Sequence, residues 1–160
     1  MKKELYNAIC DQVYISLKEG EQLTIYMEGE NSQYFRFNDS KIRQTGIIED
    51  YKVTLSLFHG KKSLQATTTI SSDINYSVKN LISEINGLRE PLSLIPENSF
   101  TEFPEKFNSC DMHRIGQLPD REDILDSLMD IIREDNLTGV WTSGKIFRAS
   151  STSEGTNHWF

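Results

Sequence analysis

The chain has 160 residues, of which 37% are hydrophobic and 26% charged, and its formal net charge is −7. This length and composition are ordinary for one soluble globular domain with a core of its own. They exclude a membrane-spanning helix, since no run approaches the roughly 20 apolar residues that one requires. They also argue against direct nucleic-acid binding, because Lys and Arg are not clustered.

The N-terminus and the cysteines indicate a cytosolic protein. Met1-Lys2-Lys3 is basic, but no apolar segment follows it, so we do not identify a signal peptide. Cys10 and Cys110 are too few for a disulfide framework, and we expect both thiols to be reduced.

A helix is predicted over residues 2–19. Leu5, Ile9, Val13 and Leu17 recur at four-residue steps, and Gly20 is placed to end the helix. This apolar stripe is wide enough to pack on one face of a sheet.

Five consecutive strands are predicted next, at residues 22–28, 32–38, 40–48, 50–59 and 61–70. Apolar residues alternate with polar ones, most clearly from Tyr51 to Leu57 and on the return from Leu64 to Ile70. Gly60 can supply the positive φ of a hairpin turn, and residues 29–31 predict another turn. The pattern indicates an antiparallel meander with one dry face.

A second helix is predicted from Ile74 to Leu88, with Asp73 available as a cap and Pro91 as its end. Two helices on one face of an antiparallel sheet define an α+β fold. We therefore predict a helix–meander–helix core at residues 1–90 and an irregular connector at 91–119.

Residues 120–160 are predicted to form a helix and a terminal β-hairpin, packed on the same sheet or on a missing C-terminal domain. Asp120 is a suitable helix cap, and the hairpin turns at residues 153–156. The predicted buried face of this helix comprises Ile124, Leu125, Leu128, Ile131 and Ile132. Because the chain stops at Trp159-Phe160 just after a turn, we expect it to be part of something longer.

No catalytic or metal centre is predicted. Cys110 and His113 have the spacing of half a zinc site, but only His59 and His158 remain as further soft ligands. Phosphate-binding, hydrolase and metallopeptidase motifs do not occur. A small hydrolase with unrecognised residues is a minor alternative.

The candidate binding surface is polar and lies on the second and third predicted strands. Its residues are Arg36, Asn38, Lys41, Arg43 and Gln44. They form either a solvated sheet face or a surface that contacts a peptide or another domain.

The central stretch resembles the N-terminal domain of the TldD/PmbA family, known as modulators of DNA gyrase and viewed as metallopeptidases. The segment that carries the resemblance, residues 36–44, reads Arg-Phe-Asn-Asp-Ser-Lys-Ile-Arg-Gln. Glu49-Asp50, the strand 53–57, the hairpin 59–61 and the run 66–69 follow in the family's order. Residues 138–155 resemble a later strand and turn of the family in divergent form.

The resemblance implies a non-catalytic portion of a peptidase that shapes substrate access or subunit pairing. The family's H-E-x-x-x-H metal motif lies downstream of this region, so zinc is implied only for another domain and no catalytic residue is carried over. Expected partners are a peptide or protein substrate and a like or related subunit in a dimer. The alternative is a stand-alone adaptor module without enzymatic activity.

Overall fold

The computed structural model describes residues 3–114, 116–135 and 137–160, and within them the fold is α+β. Three helices and a six-stranded, mostly antiparallel open sheet make up the regular structure of this part of the chain. In chain order the elements are α1 Lys3–Tyr14, β1 Glu21–Asn38, β2 Lys41–His59, β3 Lys62–Thr69, α2 Ile74–Leu94, β4 Cys110–Asp111, α3 Arg121–Asp135, β5 Gly139–Thr152 and β6 Asn157–Trp159.

The strand order is β3-β2-β1-β5-β6-β4. β2 and β3 pair antiparallel with Leu55 opposite Ala66 and Leu57 opposite Leu64, and Gly60 has a φ of 59° in the turn between them. The predicted hairpin and its alternation are therefore confirmed. The terminal hairpin is also confirmed, since β5 and β6 pair antiparallel, while β4 adds to β6 in parallel.

The prediction of five strands over residues 21–70 was wrong in number, because three long strands occupy this region. The predicted turn at residues 29–31 lies inside β1, and β2 runs unbroken through Glu49 and Asp50. A Cβ on Gly29 would lie 2.8 Å from Cδ1 of Tyr51 and 3.0 Å from Cδ2 of Phe147. This glycine thus permits close packing of aromatic rings within a strand rather than a turn.

The first predicted helix is too long. α1 ends at Tyr14, and the Ser16 hydroxyl donates a 2.6 Å hydrogen bond to the carbonyl oxygen of Val13. That carbonyl would otherwise accept the next helical bond from Leu17, so the serine competes with the helix. Residue 2 of the prediction lies outside the described residues.

The second helix does not end at Pro91, which lies inside α2. Its N-terminus is as predicted, with the Asp73 carboxylate accepting from the backbone of Tyr76. The last turn continues because Leu92 is buried in the core and the amide of Ile95 donates to the carbonyl of Pro91.

The third helix begins as predicted, with Asp120 accepting hydrogen bonds from the backbone of Glu122 and Ile124. Ile124 is buried, but Ile131 is 55% exposed, so its predicted burial was wrong. Burial declines along this helix, as Leu128 is only half-buried. The side chain of Ile132 lies outside what the structure describes.

The chain divides into two compact units. Unit 1 comprises Met1–Gly29, Asp50–His113 and Phe147–Phe160, and unit 2 comprises Glu30–Glu49 and Arg114–Ile146. β1, β2 and β5 contribute residues to both. The predicted boundaries at residues 90 and 119 stay a prediction.

The apolar core of unit 1 lies between the sheet and two helices, α1 and α2. Tyr6, Ile9 and Val13 of α1 join Leu81 and Ile85 of α2 in one buried cluster. On the sheet side the same cluster contains Leu23, Ile25, Met27, Tyr51, Val53, Leu55 and Leu57. These strand residues alternate in sequence, so the two helices cover one face, as predicted.

The irregular segment after α2 is fixed to unit 1 at several points. The amide of Asn98 donates to the carbonyl of Lys61, and Phe103 packs edge-on against Phe58 with ring centroids 5.2 Å apart. Farther along, Thr156 exchanges hydrogen bonds with the backbone of Phe107. Among the described helices none has the length and apolarity of a membrane span.

Candidate functional site

The five polar residues predicted as a binding surface lie together at the tip of the β1–β2 hairpin in unit 2. Asp39 and Ser40 form its two-residue turn with φ values of 49° and 57°. Turns with positive φ at both positions match the twist of the flanking strands. The end of β1 and the start of β2 then supply the exposed side chains of Arg36, Asn38, Lys41, Arg43 and Gln44.

Two of the five are tied to neighbouring side chains. The Gln44 amide donates to the Tyr34 hydroxyl at 2.9 Å, and Asn38 Oδ1 accepts from the Thr138 hydroxyl at 2.7 Å. The Tyr34 ring also lies where a Cβ on Gly46 would be, 2.6 Å from its Cε1 atom. An aromatic ring folded over a strand glycine replaces the missing side-chain packing.

The cations of the tip are weakly paired. Arg43 Nη2 lies 3.8 Å from Asp39 Oδ2, and both side chains are more than half exposed. An exposed pair at this distance contributes little to stability. The side chains of Arg36 and Lys41 make no hydrogen bond or ion pair with any residue that the structure describes. Two positive charges are therefore available to a partner.

Close packing of β5 against β1 fixes the position of the hairpin within unit 2. Phe35 and Trp141 stack with ring centroids 5.2 Å apart. A Cβ on Gly144 would lie 2.3 Å from Cα of Ser32, so only glycine fits there. The sequence analysis missed this role of Gly144, and the signal for it was an isolated glycine within a strand pattern.

Large apolar side chains are exposed on β2 and β5. Ile47 is 72% exposed and Ile146 is 75% exposed. Three further residues of unit 2 strands are at least one-third exposed, namely Ile42, Ile48 and Val140. Single exposed apolar residues are common, but several on β2 and β5, the two strands that flank β1, are typical of an interaction surface.

The outer edge of β2 is open along the same stretch. β3 pairs with β2 only from Lys52 to His59, and one further backbone bond links Ile70 to Tyr51. Within the described residues, β2 between Lys41 and Asp50 therefore has a strand neighbour on one side only. A long unpaired edge is a site where another polypeptide can add.

The residues considered for a metal site do not fit one. Cys110 and His158 are partners in the parallel β4–β6 pair and line a cavity of 220 Å³ with Asp111. His113 and His59 are exposed elsewhere in unit 1. In the described part of the chain, no three His, Cys, Asp or Glu side chains are arranged to hold a metal ion.

The other thiol is packed rather than reactive. Cys10 is buried in α1, and burial raises the pKa of its thiol to about 11. Burial likewise raises the pKa of its neighbours Tyr6 and Tyr14. The Tyr14 and Ser151 hydroxyls are 2.5 Å apart, and Tyr6 donates to the carbonyl of Ile25. The hydrogen-bonding capacity of these hydroxyl groups is therefore used within the protein interior.

No protein-family model matches the sequence, and no curated protein matches it. Solved structures do match. TldE from Thermococcus kodakarensis matches with a TM-score of 0.70 at 13% identity, covering 96% of this chain and 36% of that one. A proposed modulator of DNA gyrase from Bacteroides thetaiotaomicron matches with a TM-score of 0.60 at 11% identity, covering 99% of this chain and 38% of that one.

A similar protein from Thermotoga maritima matches with a TM-score of 0.58 at 11% identity, covering 97% of this chain and 37% of that one. At these identities the matches show a shared fold. They confirm the resemblance to modulators of DNA gyrase as a structural one, and this chain spans about a third of the length of the proteins it matches.

Proposed function

We propose that this chain is a non-catalytic part of a TldD/PmbA-like peptidase, and that the strands of unit 2 contact another polypeptide. The contact either shapes substrate access or pairs two subunits. The fold match supports the first part, since it extends over at least 96% of this chain. Metal and peptidase chemistry would then come from other residues of a larger protein or from a partner subunit.

The observation that carries the proposal is the exposure of large apolar side chains on β2 and β5, together with the open edge of β2. Ile47 on β2 and Ile146 on β5 are each more than 70% exposed. Burying one such side chain at an interface contributes about 1.5–3 kcal/mol. A surface of this kind gains free energy when a second polypeptide covers it.

The test is binding to a TldD/PmbA subunit that carries the metal motif, measured by calorimetry. We expect the double variant Ile47→Asp/Ile146→Asp to bind at least tenfold more weakly than the parent chain. Ile15→Asp is the matched control, because Ile15 is 83% exposed but belongs to unit 1. Equal loss in the control, or no loss in the double variant, would contradict the proposal.

A stand-alone adaptor is the second candidate. The buried core of unit 1 and its anchored connector favour it, because residues of this chain form both. Peptidase assays separate the two functions. Added to a metal-containing subunit, the chain changes peptide turnover under the first proposal and leaves it unchanged under the second. We further propose that either role is carried out in the cytosol.

A further inference from the structure

We propose that the tip of the β1–β2 hairpin binds an extended acidic segment that also carries apolar side chains. The site consists of the hairpin-tip residues Arg36, Lys41, Ile42 and Arg43, with Val140 of β5. This inference rests on the proposed function, for which it specifies the chemistry of the partner.

The charge of the hairpin tip is opposite to that of the chain as a whole. The chain has a net charge of −7, whereas residues 36–44 contain three cations and one carboxylate, Asp39. Arg43 interacts with that carboxylate only at 3.8 Å, and the side chains of Arg36 and Lys41 have no hydrogen-bond or ion-pair partner among the described residues. The negative charge of the rest of the chain repels an acidic partner, whereas the cations of the hairpin tip attract it.

Apolar groups lie beside these cations. Ile42 lies between Lys41 and Arg43 in the sequence of β2 and therefore points to the opposite face of the strand. Ile42 is 37% exposed, and Val140 of β5 is 60% exposed. A purely acidic ligand would leave these side chains in water. A segment in which carboxylates alternate with apolar residues pairs with both kinds of group, and Arg guanidinium groups bind carboxylates in a two-pronged geometry.

The experiment uses three fluorescein-labelled octapeptides and the full chain, with fluorescence anisotropy as the measurement. One peptide alternates Leu and Glu, the second alternates Leu and Lys, and the third alternates Ser and Glu. We expect the Leu–Glu peptide to bind at least tenfold more tightly than the other two. Its affinity is expected to fall as salt is raised from 50 to about 500 mM, because exposed charges are screened.

The variant Arg36→Glu/Lys41→Glu tests the location of the site. We expect it to weaken binding of the Leu–Glu peptide about tenfold, since two attractive contacts become repulsive. Lys52→Glu/Lys79→Glu is the matched control, because both lysines are exposed in unit 1 and the change in net charge is the same. The control is expected to bind within twofold of the parent, and circular dichroism verifies that both variants fold.

Three results would overturn the inference. They are equal affinity for the Leu–Glu and Leu–Lys peptides, equal loss in both double variants, and self-association by sedimentation velocity that only the Arg36→Glu/Lys41→Glu variant abolishes. The last result would identify a second copy of this chain as the occupant. The proposed function is tested independently of this inference, because its test uses the isoleucine variants and a metal-containing subunit.

Discussion

Replacing Gly144 with alanine is expected to destabilise unit 2 by about 2–3 kcal/mol. The new Cβ would lie 2.3 Å from both Cα and Cβ of Ser32 and 2.4 Å from the carbonyl oxygen of Asn31. Backbone atoms cannot rotate away as a side chain can. β1 and β5 must therefore separate by roughly 1 Å to restore carbon contacts of about 3.5 Å.

Gly87→Ala provides a control of opposite sign. Gly87 is exposed in α2, and a Cβ there meets no atom within 4 Å. Alanine is favoured over glycine inside a helix, so we expect the free energy of unfolding to rise by about 0.5–1 kcal/mol. If alanine substitutions destabilised this chain in general, the free energy of unfolding would fall in both variants.

The assay is urea unfolding followed by tryptophan fluorescence. Trp141 belongs to unit 2 and Trp159 to unit 1. Replacing either tryptophan with Phe therefore leaves the other as a fluorescence reporter for its own unit. In the Trp159→Phe background, Gly144→Ala is expected to move the unfolding midpoint of Trp141 to lower urea. An unchanged or higher midpoint would refute the close approach of β5 to β1.

Three further predictions concern unit 1. Arg89 donates two 2.8 Å hydrogen bonds to Glu21 and thereby lowers the pKa of Glu21. Arg89→Met should cost about 2 kcal/mol at pH 7. Because the pair stabilises fully above the unfolded pKa of about 4.3 and less as the pH falls below it, the difference between the two proteins in chemical unfolding should shrink below pH 4. A pH-independent difference would contradict the role of the ion pair. Iodoacetamide should label half-buried Cys110 in the folded protein and buried Cys10 only after unfolding, as measured by mass spectrometry; equal labelling rates would refute this. In limited chymotrypsin digestion the first cut should follow Phe100, which is 92% exposed, whereas a first cut inside β1 or β2 would contradict the fold.

Local patterns were sufficient to predict most of the fold. Alternation from Tyr51 to Leu57 and from Leu64 to Ile70 indicated the β2–β3 pair, and Gly60 indicated its turn. The points at which strands and helices end were harder to predict. Gly29 and Pro91 are ordinary signals for a turn and for a helix end, yet Gly29 lies against the Tyr51 ring and buried Leu92 extends α2 beyond the proline. Tertiary packing, which no local pattern contains, decided both.

The candidate site was predicted in part. Alternating polar residues from Arg36 to Gln44 indicated an exposed surface, and the hairpin places them together. Exposure of Ile47 and Ile146 could not be predicted, because apolar strand residues are usually buried. The exposure of these two side chains depends on which strands and helices cover this part of the sheet. The close approach of Gly144 to Ser32 likewise depends on the pairing of residues distant in sequence.

Hydrogen exchange with and without a metal-containing TldD/PmbA subunit tests the central claim most directly. The account predicts slower exchange on binding for backbone amides of residues 41–49 and 139–146, where unit 2 strands carry exposed apolar side chains. Residues 74–94 of α2, outside the proposed surface, should exchange at unchanged rates. Protection confined to unit 1, or absent altogether at saturating partner, would contradict the account.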